Sequence, residues 1–185
     1  MSEFTDRLTE EHAAFIARQS IFFVATAAAD ARINVSPKGY DAFRVLGPAR
    51  VAWLDLGGSG NETQAHLSAD GRITIMFCAF DNPALILRIY GRGQPAHPEE
   101  EGFAELAALF PRLPGVRQIF DIAVESVQTS CGWGVPHMTL ERERPTLAKY
   151  HGQQEPAVRL AKIAGRTRSI DGLPVRVQTL IPDWD

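Results

Sequence analysis

A lysine on a constrained turn is the first residue of this sequence whose type and position could do chemistry. Lys38 stands between Pro37 and Gly39 in residues 34–41, N-V-S-P-K-G-Y-D. Pro37 has no N–H to give a neighbouring strand, which is typical of a strand end or edge. Gly39 allows a positive φ or the close approach of a ligand. Ser36, Pro37 and Lys38 could therefore present backbone donors and one ammonium group to an anionic or polar heterocycle. The alternative is a solvated turn with a surface lysine.

A glycine-rich segment is the second candidate. Residues 57–64 read G-G-S-G-N-E-T-Q and open a predicted helix. Free N–H groups at a helix start, with polar neighbours such as Asn61, Thr63 and Gln64, can hold a phosphate group. The segment is neither a Walker phosphate loop nor a dinucleotide-binding glycine fingerprint. Glu62 would repel a phosphate if its side chain pointed inward, and an ordinary helix start remains the alternative.

Two further positions could contact a planar or anionic ligand. Strand alternation places Arg88 on one face with Tyr90 and Arg92, and that face lines either a cleft or the solvent. Trp133 lies between two glycines, where the backbone can swing its ring out of a sheet. An aromatic side chain on such a turn either stacks on a planar ring or covers the end of a barrel.

Charge, cysteine content and histidine spacing exclude several functions. The 185 residues carry a net charge of −3, which gives no broad electrostatic case for nucleic acid or an anionic membrane. The five histidines show no paired metal-ligand spacing, and two cysteines are too few for a secreted disulfide framework. No apolar leader or membrane span is evident in the sequence. We expect a cytoplasmic protein without a metal site.

The elements that must position these residues are mainly strands. Six runs rich in Val, Ile, Phe and Thr are separated by turn residues, and they cover 21–26, 32–36, 43–56, 72–80, 85–91 and 118–129. The first five are too closely spaced for crossover helices, which predicts an antiparallel meander or closed barrel. Helices are predicted over 5–19, 61–68, 98–110 and 155–164, with Asn61 as a cap and Glu99–Glu101 in a first turn. Residues 1–136 form the predicted barrel domain, and 137–185 a helical or irregular tail packed on it.

Taken in order, these segments resemble the pyridoxamine 5′-phosphate oxidase-related, FMN-binding split-barrel family. The resemblance covers most of residues 15–136. It depends on the segments F-F-V-A-T (22–26), V-S-P-K-G (35–39), G-N-E-T-Q-A-H-L (60–67), L-R-I-Y-G-R-G (87–93) and S-C-G-W-G-V-P (130–136), and on R-S-I-D-G-L-P (168–174) in the tail. It implies a six-stranded antiparallel split barrel with flanking helices, and a homodimer with FMN at its interface.

The resemblance also implies roles for individual residues. Lys38 matches a lysine that contacts the cofactor, and Ser36 and Pro37 take neighbouring contact positions. Asn61 and Glu62 stand where the oxidase has an Arg-Lys pair on the FMN phosphate. Thr63, Gln64, helix N–H groups, Arg88 or an arginine of a partner chain would have to compensate. A second departure is Ile86, in place of a flavin-contacting glutamine. Trp133 would shield the flavin from water.

The expected function is that of an FMN-dependent oxidoreductase moving hydride or electrons to or from a small organic substrate, with NAD(P)H as a candidate donor. Pyridoxine phosphate is not the first choice of substrate, because the oxidase pairs a tryptophan with an arginine near its chain end and here Trp184 is followed only by Asp185. A non-catalytic FMN-binding or flavin-sensing protein, a heme- or deazaflavin-binding relative and a cofactor-free interaction module remain alternatives. Replacing Lys38 or Asn61 by alanine is expected to weaken FMN retention without changing the stability of the apoprotein.

Overall fold

A computed structural model describes residues 2–177 and 179, and Trp184 lies outside the described residues. The elements in chain order are β1 (Glu3–Thr5), α1 (Glu10–Ala17), β2 (Phe22–Thr26), β3 (Asn34–Lys38), β4 (Phe43–Gly47), β5 (Arg50–Leu56), α2 (Glu62–Ala69), β6 (Arg72–Cys78), β7 (Ile86–Ala96), α3 (Phe103–Ala107), β8 (Val116–Ser130), α4 (Thr146–Gly152) and α5 (Pro156–Ile163). No helix in this part of the chain is long and apolar enough to cross a membrane.

The strands form one antiparallel sheet in the order β3-β2-β6-β7-β8-β5-β4. Two strands pair with one edge of the 15-residue strand β8: β5 pairs with its first half, and β1 pairs with its last residues. Strand β7 runs along its other edge, with a register shift between Tyr90 and Gly91. A Cβ on Gly91 would lie 2.2 Å from the Ala123 carbonyl oxygen, so this close approach of β7 to β8 requires glycine.

Side chains from strands far apart in this order share one core, which shows that the sheet curls on itself. The Phe22 ring of β2 lies edge-on to the Phe43 ring of β4, with centroids 5.1 Å apart, and 6.4 Å from the Trp53 ring of β5. The edge strands β3 and β4, both wholly within the described residues, form no backbone pairs with each other. The result is a barrel split along one side. The predicted mainly β antiparallel fold is confirmed, but the described residues form eight strands and not the six predicted.

The sequence-based element bounds need four corrections. The run 43–56 is not one strand, because it turns at Pro48 and Ala49 to give the hairpin β4–β5. Helix α1 begins only after Thr9, whose hydroxyl accepts a hydrogen bond from the His12 N–H, and residues 3–5 form β1 instead. Helix α3 begins after Gly102 at φ +82°, so the predicted first turn with Glu99–Glu101 is wrong. Helix α4 was not expected.

One contact between the described part of the tail and the barrel is formed by a buried histidine. His151 of α4 is buried, and its Nε2 lies 2.8 Å from the Gly57 carbonyl oxygen at the end of β5. Its ring lies over Gly115, where a Cβ would fall 2.2 Å from the ring carbon Cγ. Gly115 also has φ +82°. Glycine is therefore required at position 115 both by the backbone conformation and by the docking of the tail.

Candidate functional site

The glycine-rich turn connects β5 to α2 and forms the floor of the candidate site. Its carbonyl groups are held from two sides: Gly60 accepts a hydrogen bond of 2.7 Å from Arg117, and Gly58 accepts one of 3.0 Å from Arg166 of the tail. Asn61 occupies the predicted N-cap position of α2, but its side chain makes no capping bond to the helix backbone. Its Nδ2 instead donates to the side-chain oxygen Oε1 of Gln64 at 3.1 Å.

A buried carboxylate lies directly behind this turn. Asp55 of β5 is almost fully buried, and its Oδ2 accepts bonds from Arg117 Nε at 2.5 Å and Gln118 Nε2 at 2.8 Å. Its Oδ1 lies 3.8 Å from the Lys38 ammonium. Burial opposes ionisation of Asp55, but Arg117, Lys38 and the hydrogen bonds outweigh it and lower the pKa of this carboxyl. The group of Asp55, Arg117 and Lys38 therefore carries a net charge of +1.

A β-bulge explains how two adjacent residues of β8 reach the same carboxylate. Asp55 pairs with Gln118 and Leu56 pairs with Val116, so Arg117 is an extra residue between them. Neighbouring residues on a regular strand point to opposite faces, whereas a bulge redirects one of them. The shift at this position brings the side chains of both Arg117 and Gln118 onto Asp55.

Hydrogen bonds continue from Asp55 to the start of α2 and on to the tail. Gln118 Nε2 also donates to Asn61 Oδ1 at 2.8 Å, and the side-chain oxygen Oε1 of Gln64 accepts a bond from the Arg176 N–H at 3.0 Å. Gln64 Nε2 lies 3.4 Å from His97 Nε2. Burial, followed by the charge of Arg176, lowers the pKa of His97, so its neutral ring can accept this bond.

A cavity of about 430 Å³ lies between the glycine-rich turn and the tail. Its barrel wall consists of residues 57–62 with Arg117, and its tail wall comes from α4, α5 and the segment that follows. Among the described residues, six cationic side chains and one carboxylate, that of Glu62, line this cavity. The cations are Arg117, Arg159, Lys162, Arg166, Arg168 and Arg176. Glu62 itself accepts a hydrogen bond from the Ile170 N–H at 3.1 Å.

Further contacts fix the tail over this cavity. Arg176 forms a salt bridge of 2.6 Å with Glu100 and another with Glu99. Arg32, in the segment before β3, pairs with Asp171. The acids predicted to begin a helix at 98–110 therefore bind the tail instead.

Six of the eight predicted site residues lie near the glycine-rich turn. Ser36, Pro37 and Lys38 share β3, and Lys38 is linked to Asn61 and Gln64 through Asp55 and Gln118. Thr63 is buried, and its hydroxyl accepts a bond of 3.2 Å from Asn34 Nδ2, which ties α2 to β3.

The other two predicted residues lie outside both β3 and the glycine-rich turn. Arg88 lies on β7 and donates to the Ser130 hydroxyl at 3.3 Å. Trp133 is 85% exposed in the loop after β8. Of the eight predicted residues, Asn61 is the one that lines the cavity. The assignment of these eight residues to a ligand remains a prediction.

The sequence analysis missed Asp55 and the tail cations. A single acid inside the apolar strand V-A-W-L-D-L is a signal of a buried charge that needs a cationic partner. The tail cations left no such signal, since isolated arginines in a polar segment are typical of any solvated surface.

Comparison with known proteins places this architecture in a family. Residues 8–131 match the family model described as pyridoxamine 5′-phosphate oxidase. The pyridoxamine 5′-phosphate oxidase family protein ustO of Aspergillus flavus is 35% identical over 194 aligned residues, which cover 94% of this chain and 78% of ustO.

Two solved structures show the same fold. A Lactobacillus delbrueckii protein described as a candidate pyridoxamine 5′-phosphate oxidase superposes with a TM-score of 0.55 and 20% identity, covering 66% of this chain and 94% of that one. HupZ of Group A Streptococcus superposes with a TM-score of 0.51 and 22% identity, covering 65% and 91%. The fold is thus that of a split-barrel protein.

The chain belongs to the pyridoxamine 5′-phosphate oxidase family. The family match ends at residue 131, so α4, α5 and the segment after them lie beyond it. The match to ustO covers 94% of this chain and therefore extends into the tail.

Proposed function

We propose that this protein binds FMN and works as an FMN-dependent oxidoreductase on a small organic substrate. The observation that carries the proposal is the cationic cavity on the glycine-rich turn, joined by the Asp55 network to Lys38 on β3. FMN combines a phosphate group near −2 charge with a polar ring edge. The cationic cavity at the glycine-rich turn matches the phosphate group, and Lys38 on β3 matches the polar edge of the ring. Membership of the pyridoxamine 5′-phosphate oxidase family supports a flavin as the ligand.

The residues of the turn fit a phosphate group. Gly58 and Gly60 have no positive φ, and a Cβ on Gly58 would meet no protein atom within 4 Å. Neither glycine is needed for a strained turn or for packing, and the open space beside Gly58 suits the close approach of a ligand to the backbone. The start of α2, without a side-chain cap, keeps N–H groups that can donate to phosphate oxygens.

The residues of β3 fit the polar edge of the ring. Ser36 Oγ is buried and has no hydrogen-bond partner within the part of the chain that the structure describes. A buried hydroxyl without a partner costs free energy, and a ligand atom could satisfy it. Lys38 lies two residues after Ser36 on the same strand, and its ammonium lies 3.8 Å from the Asp55 carboxylate.

Bound FMN would supply hydride or electron transfer, and the protein would supply binding and electrostatics. Asn61 and Gln64, cross-linked by a hydrogen bond, fix the backbone donors at the start of α2. The net positive charge of the Asp55 group favours an anionic ligand on this side of the barrel. Lys38 would in this way favour the reduced, anionic form of the flavin and raise its potential.

We further propose that two copies form the functional unit, with the cofactor at their interface. Strand β3 is an edge strand. Its Val35 is 63% exposed, and Ile33, directly before the strand, is 74% exposed. The same strand carries Ser36 and Lys38, so a second copy covering it would also exclude water from the flavin. Arg88 and Trp133, which lie outside the cavity of their own subunit, would reach the ligand only from the partner copy.

The first test is the visible spectrum of protein purified without added cofactor and again after reconstitution with FMN. Flavin absorption that bleaches under NADH or NADPH without oxygen, and returns in air, supports an oxidoreductase. Flavin that binds but is reduced by neither nucleotide nor by a chemical reductant restricts the protein to passive binding and contradicts the proposed activity. A heme Soret band, or a protein that stays colourless after FMN treatment, overturns the cofactor assignment.

A further inference from the structure

Three cations of the tail face the cavity and contact only neutral groups among the hydrogen bonds of the described residues. Lys162 donates to the Gln154 side-chain oxygen at 2.7 Å. Arg166 donates to the carbonyl oxygens of Gly58 and Ser59 at 3.0 and 3.2 Å. Arg168 donates to the Gly172 carbonyl oxygen at 2.8 Å. The charges of these three residues are therefore available to a ligand. The charge of Arg176 is not, because Arg176 is paired with Glu99 and Glu100.

The opposite wall does not neutralise these three charges. Arg117 is already committed to Asp55, and its second contact is the Gly60 carbonyl oxygen. Glu62 is the one acid lining the cavity among the described residues, and it binds the Ile170 N–H. A cleft with one dominant sign of charge concentrates the field and attracts counter-ions. Three cations against one carboxylate match a ligand group with about two negative charges.

The position of Arg166 connects these cations to the glycine-rich turn. Its guanidinium bonds two consecutive carbonyl groups of the turn, so the tail cation and the backbone N–H groups of α2 border the same space. A guanidinium presents five donors, and two are used here. The remaining donors could bind an oxygen of the ligand while the contacts to the turn are kept.

We infer that residues 146–177 of the tail are the phosphate-binding part of this protein. Lys162, Arg166 and Arg168 bind a phosphomonoester whose oxygens also meet the start of α2. The inference rests on the proposed function in taking the phosphomonoester of FMN as the ligand. Binding is then linked to docking of the tail: a phosphate that bridges the tail and the turn stabilises their contact, and a docked tail raises affinity by the same factor.

The test compares dissociation constants for FMN and riboflavin, which differ by the phosphate, from quenching of flavin fluorescence. Lys162→Gln and Arg166→Gln remove one charge each, and Arg142→Gln is the matched control because Arg142 is exposed in the tail-side loop and does not line the cavity. Losing one charge-assisted contact should weaken FMN binding by about ten- to a hundredfold in each cavity variant. Riboflavin binding should stay the same in all four proteins.

Two results would overturn the inference while leaving flavin binding intact. One is equal FMN affinity in Arg142→Gln, Lys162→Gln and Arg166→Gln. The other is a parent protein that binds riboflavin as tightly as FMN. If none of the proteins binds any flavin, the proposed function fails, and inorganic phosphate becomes the probe.

If no flavin binds, the thermal unfolding and limited proteolysis of the protein are measured in phosphate and in chloride at equal ionic strength. A higher Tm and a protected tail in the parent, but not in Arg166→Gln, support a phosphomonoester site for a compound other than FMN. No difference between the two salts overturns the site.

Discussion

The ammonium of Lys38 lies 3.8 Å from Oδ1 of the buried Asp55 carboxylate, whereas Arg117 contacts Oδ2 of the same group. A lysine expected to serve the ligand alone is thus also part of the internal electrostatics of the barrel. This relationship changes the expectation that alanine at position 38 leaves the apoprotein unaffected.

Lys38→Ala should lower the free energy of unfolding of the apoprotein by about 1 kcal/mol, because Arg117 and Gln118 still satisfy Asp55. It should also weaken FMN binding. Urea denaturation and fluorescence titration measure the two effects, and Lys149→Ala at an exposed tail position is the control. A variant that loses stability but binds FMN like the parent would restrict Lys38 to a structural role.

Two arginine–aspartate pairs join β5 to β8, and they differ mainly in burial. Arg117→Ala removes the arginine and leaves buried Asp55 with Lys38 and the Gln118 amide, and it should cost about 3 kcal/mol of unfolding free energy. Arg50→Ala breaks the exposed pair with Asp121 and should cost at most about 1 kcal/mol. Chemical denaturation of both variants gives the comparison, and similar losses would show that Asp55 is more solvated than its burial indicates.

Asp55 should also give the protein an acid-sensitive component of stability. Its pKa in the folded state is below the ordinary value, so its contribution is full above that value and is lost as the pH falls through the folded pKa. The stability difference between the parent and Asp55→Asn should therefore shrink below about pH 4. Unfolding free energies measured across the acid range test this, with Asp41→Asn at an exposed site as the control. A difference that stays constant would contradict the assignment.

Gly115→Ala should release the tail from the barrel, since the new Cβ would fall 2.2 Å from His151 Cγ on a backbone with φ +82°. The expected signs are faster proteolysis after residue 136 and weaker FMN binding. Gly47→Ala is the control, because a Cβ there meets nothing within 4 Å. The double variant Gly115→Ala/His151→Ala should resemble His151→Ala in tail proteolysis, and a much larger effect would locate the strain elsewhere.

Val35→Glu should dissociate the proposed dimer by placing a charge on the exposed edge strand β3. Light scattering coupled to size-exclusion chromatography measures the mass in solution. Leu140→Glu, at an exposed apolar residue in the loop before α4, should leave that mass unchanged. A parent protein that is monomeric with bound FMN would remove the need for a partner copy at the site.

The sequence predicted the strands better than the site. Runs of Val, Ile and Phe identify barrel strands because their side chains fill a shared core, as Phe22, Phe43 and Trp53 do. The hairpin inside 43–56 was missed because its turn interrupts an otherwise apolar run. The segments containing Lys38 and Asn61 were found from local turn chemistry. Their connection depends on Asp55 and on a bulge at Arg117, and such long-range pairing leaves no local pattern.

The tail was the least predictable part for a related physical reason. Helix α4 has no side-chain cap, and its only buried residue is His151, whose partner is a glycine carbonyl 94 positions earlier. Glu99 and Glu100 carry a typical helix-start pattern, yet they pair with Arg176. Contacts of this kind become visible only when distant segments are folded together.

The order of the elements along the chain has a consequence for biosynthesis. Every barrel strand precedes α4 and α5, so the barrel leaves the ribosome before the second wall of the cavity has been made. Nascent barrels would carry an open, shallow groove at the glycine-rich turn, and cofactor loading would wait for the last segments to arrive. A chain that ends after β8 would keep every barrel strand but lack the tail wall of the cavity, and we expect it to bind the proposed FMN more weakly.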